Sequence, residues 1–264
     1  MYSFNYQRPT SVAQAGKAGG EAARFLAGGQ SLVQAMRLRL SQSDTLVDLG
    51  GLDELRRIEV DAQGVTIGAM ATHASVAANA QVRAAIPALA ELAGGIGDPM
   101  VRNMGTLGGS IANADPAACY PAAVVGLECT VQTSQRSIPG DDFFKGLFET
   151  ALQPGELITS VRFAKPARAA YVKFRQPASR FALVGVFVSE GPGGVRVGVT
   201  GARACAYRAK ELEAALAKRF APESLDGIVL PSAGMNADLH ASAQYRAAMV
   251  VVMARRAVAA AIAR

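Results

Sequence analysis

Twice along this chain a pair of glycines is flanked by hydroxyl side chains: Gly28-Gly29-Gln30-Ser31, and Thr106-Leu107-Gly108-Gly109-Ser110. Side chains beyond Cα obstruct the approach of backbone amides to a ligand, so such pairs mark places where several N–H donors can converge on an anion. The first pair follows a short apolar run, Arg24 to Ala27, and precedes Leu32 to Leu40, where Leu32, Met36 and Leu40 recur every four residues. That order predicts a strand, a turn and an amphipathic helix, with Ser31 at a helix N-terminus whose dipole favours negative charge. A single Gly-Gly pair is more often only a tight turn. Two of them, similarly dressed, constrain the chain more. Neither fits GxGxxG or GxxxxGK followed by Ser or Thr, which disfavours an ordinary dinucleotide fold and a P-loop. Val33 stands where a nucleophile elbow needs its second glycine.

Around these segments the pattern alternates. Pro9 and Thr10 open an alanine-rich helical stretch to about Ala23, and Leu46 to Leu49 and Val65 to Ala69 read as strands bounded by turn residues. Thr72 can cap a helix from His73 to Ala78, and Pro87 can start one running to Ala93. The segment from Asn103 to Asn113 is read as a second glycine-rich loop. Asp115-Pro116 then supplies the cap and first position of a helix through Val125. Strands are expected at Cys129 to Thr133 and Glu156 to Phe163, with a short helix or loop from Asp141 to Phe148 and a turn at Gln153-Pro154-Gly155. Beyond Lys165-Pro166 the character changes. Tyr171 to Arg175, Phe181 to Ser189 and Val195 to Thr200 suggest a small antiparallel sheet, its last two strands joined across Gly191-Pro192-Gly193-Gly194. Helices from Ala209 to Ala221 and from Ser242 to Ala263 finish the chain, the second with Tyr245, Met249, Val252 and Met253 on one side.

Composition narrows the function. Half of the 264 residues are apolar, enough for a substantial core, and the net charge of +6 comes from scattered Lys and Arg with no aromatic interleaving. Nucleic-acid binding is therefore disfavoured. Cys119, Cys129 and Cys205 lie too far apart for a zinc site or an iron–sulfur cluster, and two histidines are too few for a histidine metal site. Met1 to Thr10 lacks an apolar secretory segment, and the apolar stretch from Ala247 stops at Arg255 and Arg256, short of the roughly 20 residues a span needs. A cytoplasmic location with no membrane span is expected.

Ala27 to Leu32, the Met36-Arg37-Leu38-Arg39-Leu40 stretch and Gly97 to Ser110 followed by Asn113-Ala114-Asp115-Pro116 together resemble the FAD-binding medium subunit of the carbon monoxide dehydrogenase and xanthine dehydrogenase family. The resemblance continues through Pro154 to Ile158, Tyr171-Val172-Lys173 and Asp238 to Ser242, nearly the whole chain. It implies an α+β fold: a two-part FAD-binding domain of the vanillyl-alcohol-oxidase or PCMH-like type over residues 1–165, with subdomains of about 1–55 and 56–165, then a C-terminal α+β domain over 166–264. It implies noncovalent FAD, its pyrophosphate cradled by Ala27, Gly28, Gly29, Gln30, Ser31 and Leu32 and by Thr106, Leu107, Gly108, Gly109 and Ser110. Ile158 would pack near the flavin ring and Lys173 would contact the cofactor. Cys119 occupies a cofactor-contact position where such subunits commonly carry an aspartate, and Arg180 replaces a family-typical acid.

Without the resemblance, Lys173 reads about equally as a solvated strand edge, and His73 as a helix-start or packing residue. Asp98 and Asp115 have turn and cap roles. No acid–base pair is evident, and none is needed, because a flavin carries its own redox chemistry. The implied assembly is a dimer of heterotrimers. A large molybdopterin subunit oxidises substrate, a small subunit with two [2Fe-2S] clusters relays electrons, and this chain delivers them to an external acceptor. The competing readings are a stand-alone flavin oxidase of the same broad fold and a scaffold that has lost FAD.

Overall fold

The computed structural model describes residues 1–264. Its first layer is a three-stranded parallel sheet with Thr45–Asp48 between Asn5–Gln7 and Ala23–Leu26. Parallel neighbours require crossovers, and the helices Val12–Ala18 and Leu32–Arg37 lie in them. Both are shorter than expected. Ser11, not Thr10, caps the first through a bond from Gln14 N, and the chain turns away at Gly19, where a Cβ would stand 2.7 Å from the Phe25 ring and 2.9 Å from Gly155 Cα. The Asn5–Gln7 strand has no apolar signal and all three residues are exposed; only backbone pairing with Thr45–Val47 recruits it. Ala15, Val47, Leu49, Leu52, Leu55, Met70 and Leu157 close a small core beneath this sheet.

The second layer is a five-stranded sheet in the order Ile58–Val60, Gly64–Gly68, Ile158–Ala164, Cys129–Thr133, Ser137–Pro139, every neighbour antiparallel. Helices His73–Ala78, Ala80–Ala85, Pro87–Gly94, Leu107–Asn113 and Tyr120–Gly126 contribute with it to a core of 33 buried residues. Thr72 caps its helix as expected, by accepting from Ser75 N. The helix expected from Asp115 begins at Tyr120 instead. Ala114 takes a left-handed conformation (φ 48°) that ends the preceding helix, and Asp115 Oδ1 accepts from Ala117 N in a turn. Thr200 Oγ1 then donates to the carbonyls of Pro116 and Ala118, so tertiary bonds claim groups a helix would need. The uncertain stretch from Asp141 resolves into a 3-10 turn, Gly140–Asp142, and a small hairpin of Phe144–Gly146 with Glu149–Thr150.

The third layer is an antiparallel sheet of Arg168–Arg175, Ala182–Gly191, Gly194–Thr200 and Tyr207–Arg208, in that order. Gly191 pairs with Gly194 across the Pro192-Gly193 turn. Alternation sends Val184, Val186 and Val188 into a core shared with helices Lys210–Lys218 and Ala243–Ile262, whereas Phe187 packs into the core of the five-stranded layer. The long helix buries only part of the expected face. Met253 is 0 % exposed and Met249 packs against the core, whereas Tyr245 and Val252 are 45 % and 38 % exposed, and Arg246, Ala247, Val250, Ala254, Ala257, Val258 and Ala261 join Met253 in the buried stripe. Small side chains let the helix axis approach the sheet. No helix is long and apolar enough to cross a membrane.

Candidate functional site

The first glycine pair lies between the end of the Ala23–Leu26 strand and the start of the Leu32–Arg37 helix. A Cβ on Gly28 would fall 2.0 Å from Met104 O and 2.8 Å from Gly105 Cα, and Gly29 has φ 69°, so both positions need glycine for different reasons. The turn's carbonyls are engaged: Gly28 O accepts from Gln30 Nε2, Gly29 O from Val33 N, and Ser31 O from Ala35 N. Its amides are not. The N–H groups of Gly28, Gly29, Gln30, Ser31 and Leu32 have no acceptor within the protein, and the Ser31 hydroxyl makes no cap bond. Five successive amides on a partly exposed turn are thus free to bond water or an anion.

The second pair corrects the sequence reading. Leu107–Asn113 is helix rather than loop, and Gly108 and Gly109 occupy its first turn. The amides there are already used: Leu107 N donates to Ala71 O (3.0 Å), Gly108 N to Ala69 O (2.8 Å), Gly109 N to Thr106 Oγ1 (3.1 Å) and Ser110 N to Thr106 O (3.0 Å). Gly108 is glycine because a Cβ would stand 2.5 Å from Ala69 Cβ. The free donors on this side are the Thr106 amide and the Ser110 hydroxyl. The two pairs nevertheless meet, since a Cβ on Gly109 would lie 3.6 Å from Ala27 Cβ. One pair supplies amides; the other supplies a closely packed wall.

Three further sequence candidates lie outside the glycine pairs. Ile158 begins its strand 3 % exposed inside the large core. Lys173 lies on the edge strand of its sheet, where Nζ donates to Gly95 O (2.8 Å), Arg180 O (2.8 Å) and Cys119 Sγ (3.3 Å). Cys119, 5 % exposed, is thereby committed to Lys173. Arg180, at φ 62°, adds a bond to Gly97 O, and Arg102 donates to the carbonyls of Ile96 and Gly97. Three cations thus fasten the Gly95–Gly97 turn.

His73 is a packing residue, 4 % exposed, with its ring centroid 5.4 Å from that of Tyr120. Burial, then the nearby Arg102 charge, lowers its pKa to about 4, so it is neutral near pH 7. No group of His, Cys, Asp and Glu side chains is arranged to hold a metal ion. The sequence reading missed a cleft of ≈ 250 Å³ walled by Pro116, Gln176, Phe181, Asn236, Asp238 and Arg246. Its one visible signal was Asp238, whose carboxylate accepts from His240 N, Ala241 N and Arg246.

A turn of unpaired amides set against a glycine-packed helix, carried on a parallel and an antiparallel sheet, defines a nucleotide-binding flavoprotein fold. Residues 2–166 match the family described as the FAD binding domain in molybdopterin dehydrogenase, and the chain belongs to that family. Within it the protein is an oxidoreductase flavoprotein, the FAD subunit of a molybdenum hydroxylase. It is 33 % identical over 281 residues to the carbon monoxide dehydrogenase medium chain of Hydrogenophaga pseudoflava, covering 99 % of this chain and 98 % of that one. The carbon monoxide dehydrogenase medium chain of Afipia carboxidovorans is 34 % identical over 275 residues, with 97 % and 96 % covered. Among solved structures, reconstituted CO dehydrogenase from Oligotropha carboxidovorans superposes with a TM-score of 0.91 at 33 % identity, covering 100 % of this chain and 99 % of that one. The fold class expected from the resemblance, an FAD-binding domain followed by an antiparallel sheet with helices, agrees with these structures.

Proposed function

We propose that the first glycine turn clasps the FAD pyrophosphate noncovalently through the amides of Gly28, Gly29, Gln30, Ser31 and Leu32, with Ala27 at its edge. Thr106 and Ser110 face it from the glycine-packed wall formed by Leu107, Gly108 and Gly109. The observation that carries this reading is the run of five unpaired amides against a helix whose own amides are all satisfied. Bound there, the flavin supplies electron transfer; the protein supplies orientation and electrostatics. Ile158, Lys173 and Cys119 are further cofactor contacts in this reading, with Lys173 also fastening the Gly95–Gly97 turn. The division into a FAD-binding domain at 1–165 and a C-terminal domain at 166–264 accompanies this proposal and accords with the family match over 2–166.

The chain takes electrons from a large molybdopterin subunit through a small [2Fe-2S] subunit and hands them to an external acceptor, in a cytoplasmic dimer of heterotrimers. Similarity to the medium chains of carbon monoxide dehydrogenases supports the partners. The test is reconstitution of the purified chain with FAD, followed by acid precipitation, and co-purification with mass spectrometry of bound subunits. Flavin absorbance retained by the native protein and released to the acid supernatant is expected, together with two partner subunits. A chain that stays colourless in excess FAD would overturn the cofactor assignment, and one that reduces its flavin with a small substrate unaided would overturn the subunit role.

A further inference from the structure

Cys119 and Lys173 come from opposite parts of the molecule, one just before the Tyr120–Gly126 helix and the other within the Arg168–Arg175 strand, yet Nζ and Sγ stand 3.3 Å apart. The amine is fixed from two sides by Gly95 O and Arg180 O, so the pair is preset rather than a chance encounter of flexible side chains. Two hydroxyls complete the surroundings. Tyr120, 0 % exposed, carries a buried OH without a hydrogen-bond partner, and the buried Tyr171 hydroxyl stands beside Cys119. A buried hydroxyl left unsatisfied is costly. Neither Cys129 nor Cys205 has a lysine neighbour in its hydrogen-bond environment.

We propose that Cys119 and Lys173 form an oxidative cross-link, an S–N bond made when hydrogen peroxide reaches the pair. The Cys119 thiolate attacks one peroxide oxygen; an S–O bond forms, the O–O bond breaks, and the departing hydroxide takes a proton from the Lys173 ammonium to become water. The free amine of Lys173 then attacks sulfur, the S–N bond forms, the S–O bond breaks, and hydroxide leaves with a nitrogen proton as a second water. Sulfur gives two electrons to peroxide, and thiol, amine and peroxide become a sulfenamide and two waters. Condensation of a sulfenic acid with nearby nitrogen is established cysteine chemistry. The bond joins the Arg168–Arg175 strand covalently to the helical layer and withdraws the ammonium from Gly95 O and Arg180 O, so the turn that Lys173 pins changes its fastening. Hydrogen peroxide is supplied from solution, so the step does not rest on the proposed cofactor.

The experiment is peptide mapping of the full chain, with and without FAD, after titration with hydrogen peroxide; flavin absorbance of the same samples reports cofactor binding separately. Expected is a peptide pair joined at Cys119 and Lys173, lighter by two hydrogens than its parts, with loss of Cys119 alkylation that dithiothreitol restores. Lys173→Arg should abolish the pair and let Cys119 proceed to the sulfinic acid. The wild-type map alone decides the matter should that variant not fold. Cys119 that remains alkylatable, or that reaches the sulfinic acid while the Lys173 peptide stays linear, would overturn the proposal.

Discussion

Replacing Gly28 with alanine places a methyl group 2.0 Å from Met104 O and 2.7 Å from Met104 C, both backbone atoms that no rotamer change can move. Real Cβ atoms keep at least 3.0 Å from such neighbours, so the turn must withdraw from the Met104-Gly105 junction by about 1 Å. A shift of that size takes amide hydrogens out of bonding range of a fixed diphosphate, since hydrogen bonds span only about 2.7–3.2 Å. Bonds to a charged acceptor contribute about 1.5–3 kcal/mol each. Losing two of them weakens FAD binding by about 3–6 kcal/mol, or roughly 10²- to 10⁴-fold in Kd. The assay is titration of apoprotein into FAD with fluorescence detection, paired with thermal melts of the apo forms. Because Gly28 belongs to none of the buried cores, a folded variant with crippled binding is the expected result. A folded Gly28→Ala protein whose Kd stays within about threefold of wild type, under 1 kcal/mol, would refute the reasoning.

Gly108→Ala should behave in the opposite sense, because its Cβ meets Ala69 Cβ at 2.5 Å while its amide is already bonded to Ala69 O. Overpacking of about 1–3 kcal/mol should lower Tm while the folded fraction keeps near-normal FAD affinity, checked by melts and the same titration. His73 gives a pH signature. Its pKa falls from 6.5 to about 4 on folding, so the unfolded chain binds the extra proton first. The stability contribution is full above pH 6.5 and drains away as pH falls toward 4, to a total of about 3 kcal/mol. Urea melts of His73→Gln should show a shallower acid slope than wild type across that window, and equal slopes would contradict the burial argument. Arg246, 3 % exposed, donates 2.6 Å to Asp238 and to the carbonyls of Leu183 and Gly201. Arg246→Ala leaves the carbonyls of Leu183 and Gly201 short of a donor at about 1–3 kcal/mol each, so a loss of that order is expected in denaturant titration, and Asp238→Asn, which keeps an acceptor for the guanidinium, should lose less.

Most strands were legible because half-buried sheets alternate. Val65 to Ala69, Cys129 to Thr133 and the run after Phe181 lie within a residue or two of their observed positions. What escaped was decided by tertiary bonding rather than local pattern. The exposed Asn5–Gln7 strand exists only as a partner for Thr45–Val47. Asp115-Pro116 carries a good helix-start signal, but Thr200 and Gly201 hold Pro116 and Ala118 by their carbonyls. On the last helix, bulk marked Met253 and Met249 correctly but also Tyr245 and Val252, which stay exposed while an alanine-rich stripe packs on the sheet.

The two glycine pairs look alike in sequence because glycine reports close approach without saying to what. The partner of each amide decides that. Residues 28–32 fall after the last strand bond and before the first helix bond, so neither ladder can satisfy their N–H groups, and their exposure leaves them open to water or a ligand. Residues 107–110 follow an isolated antiparallel bridge between Thr72 and Thr106, which brings the carbonyls of Ala69 and Ala71 to Gly108 and Leu107, while Thr106 closes the remaining turn. That bridge pairs residues 34 positions apart, so no local motif encodes it. The same Gly-Gly therefore leaves amides free in one place and serves as a packing joint in the other, and the two meet where Gly109 lies against Ala27.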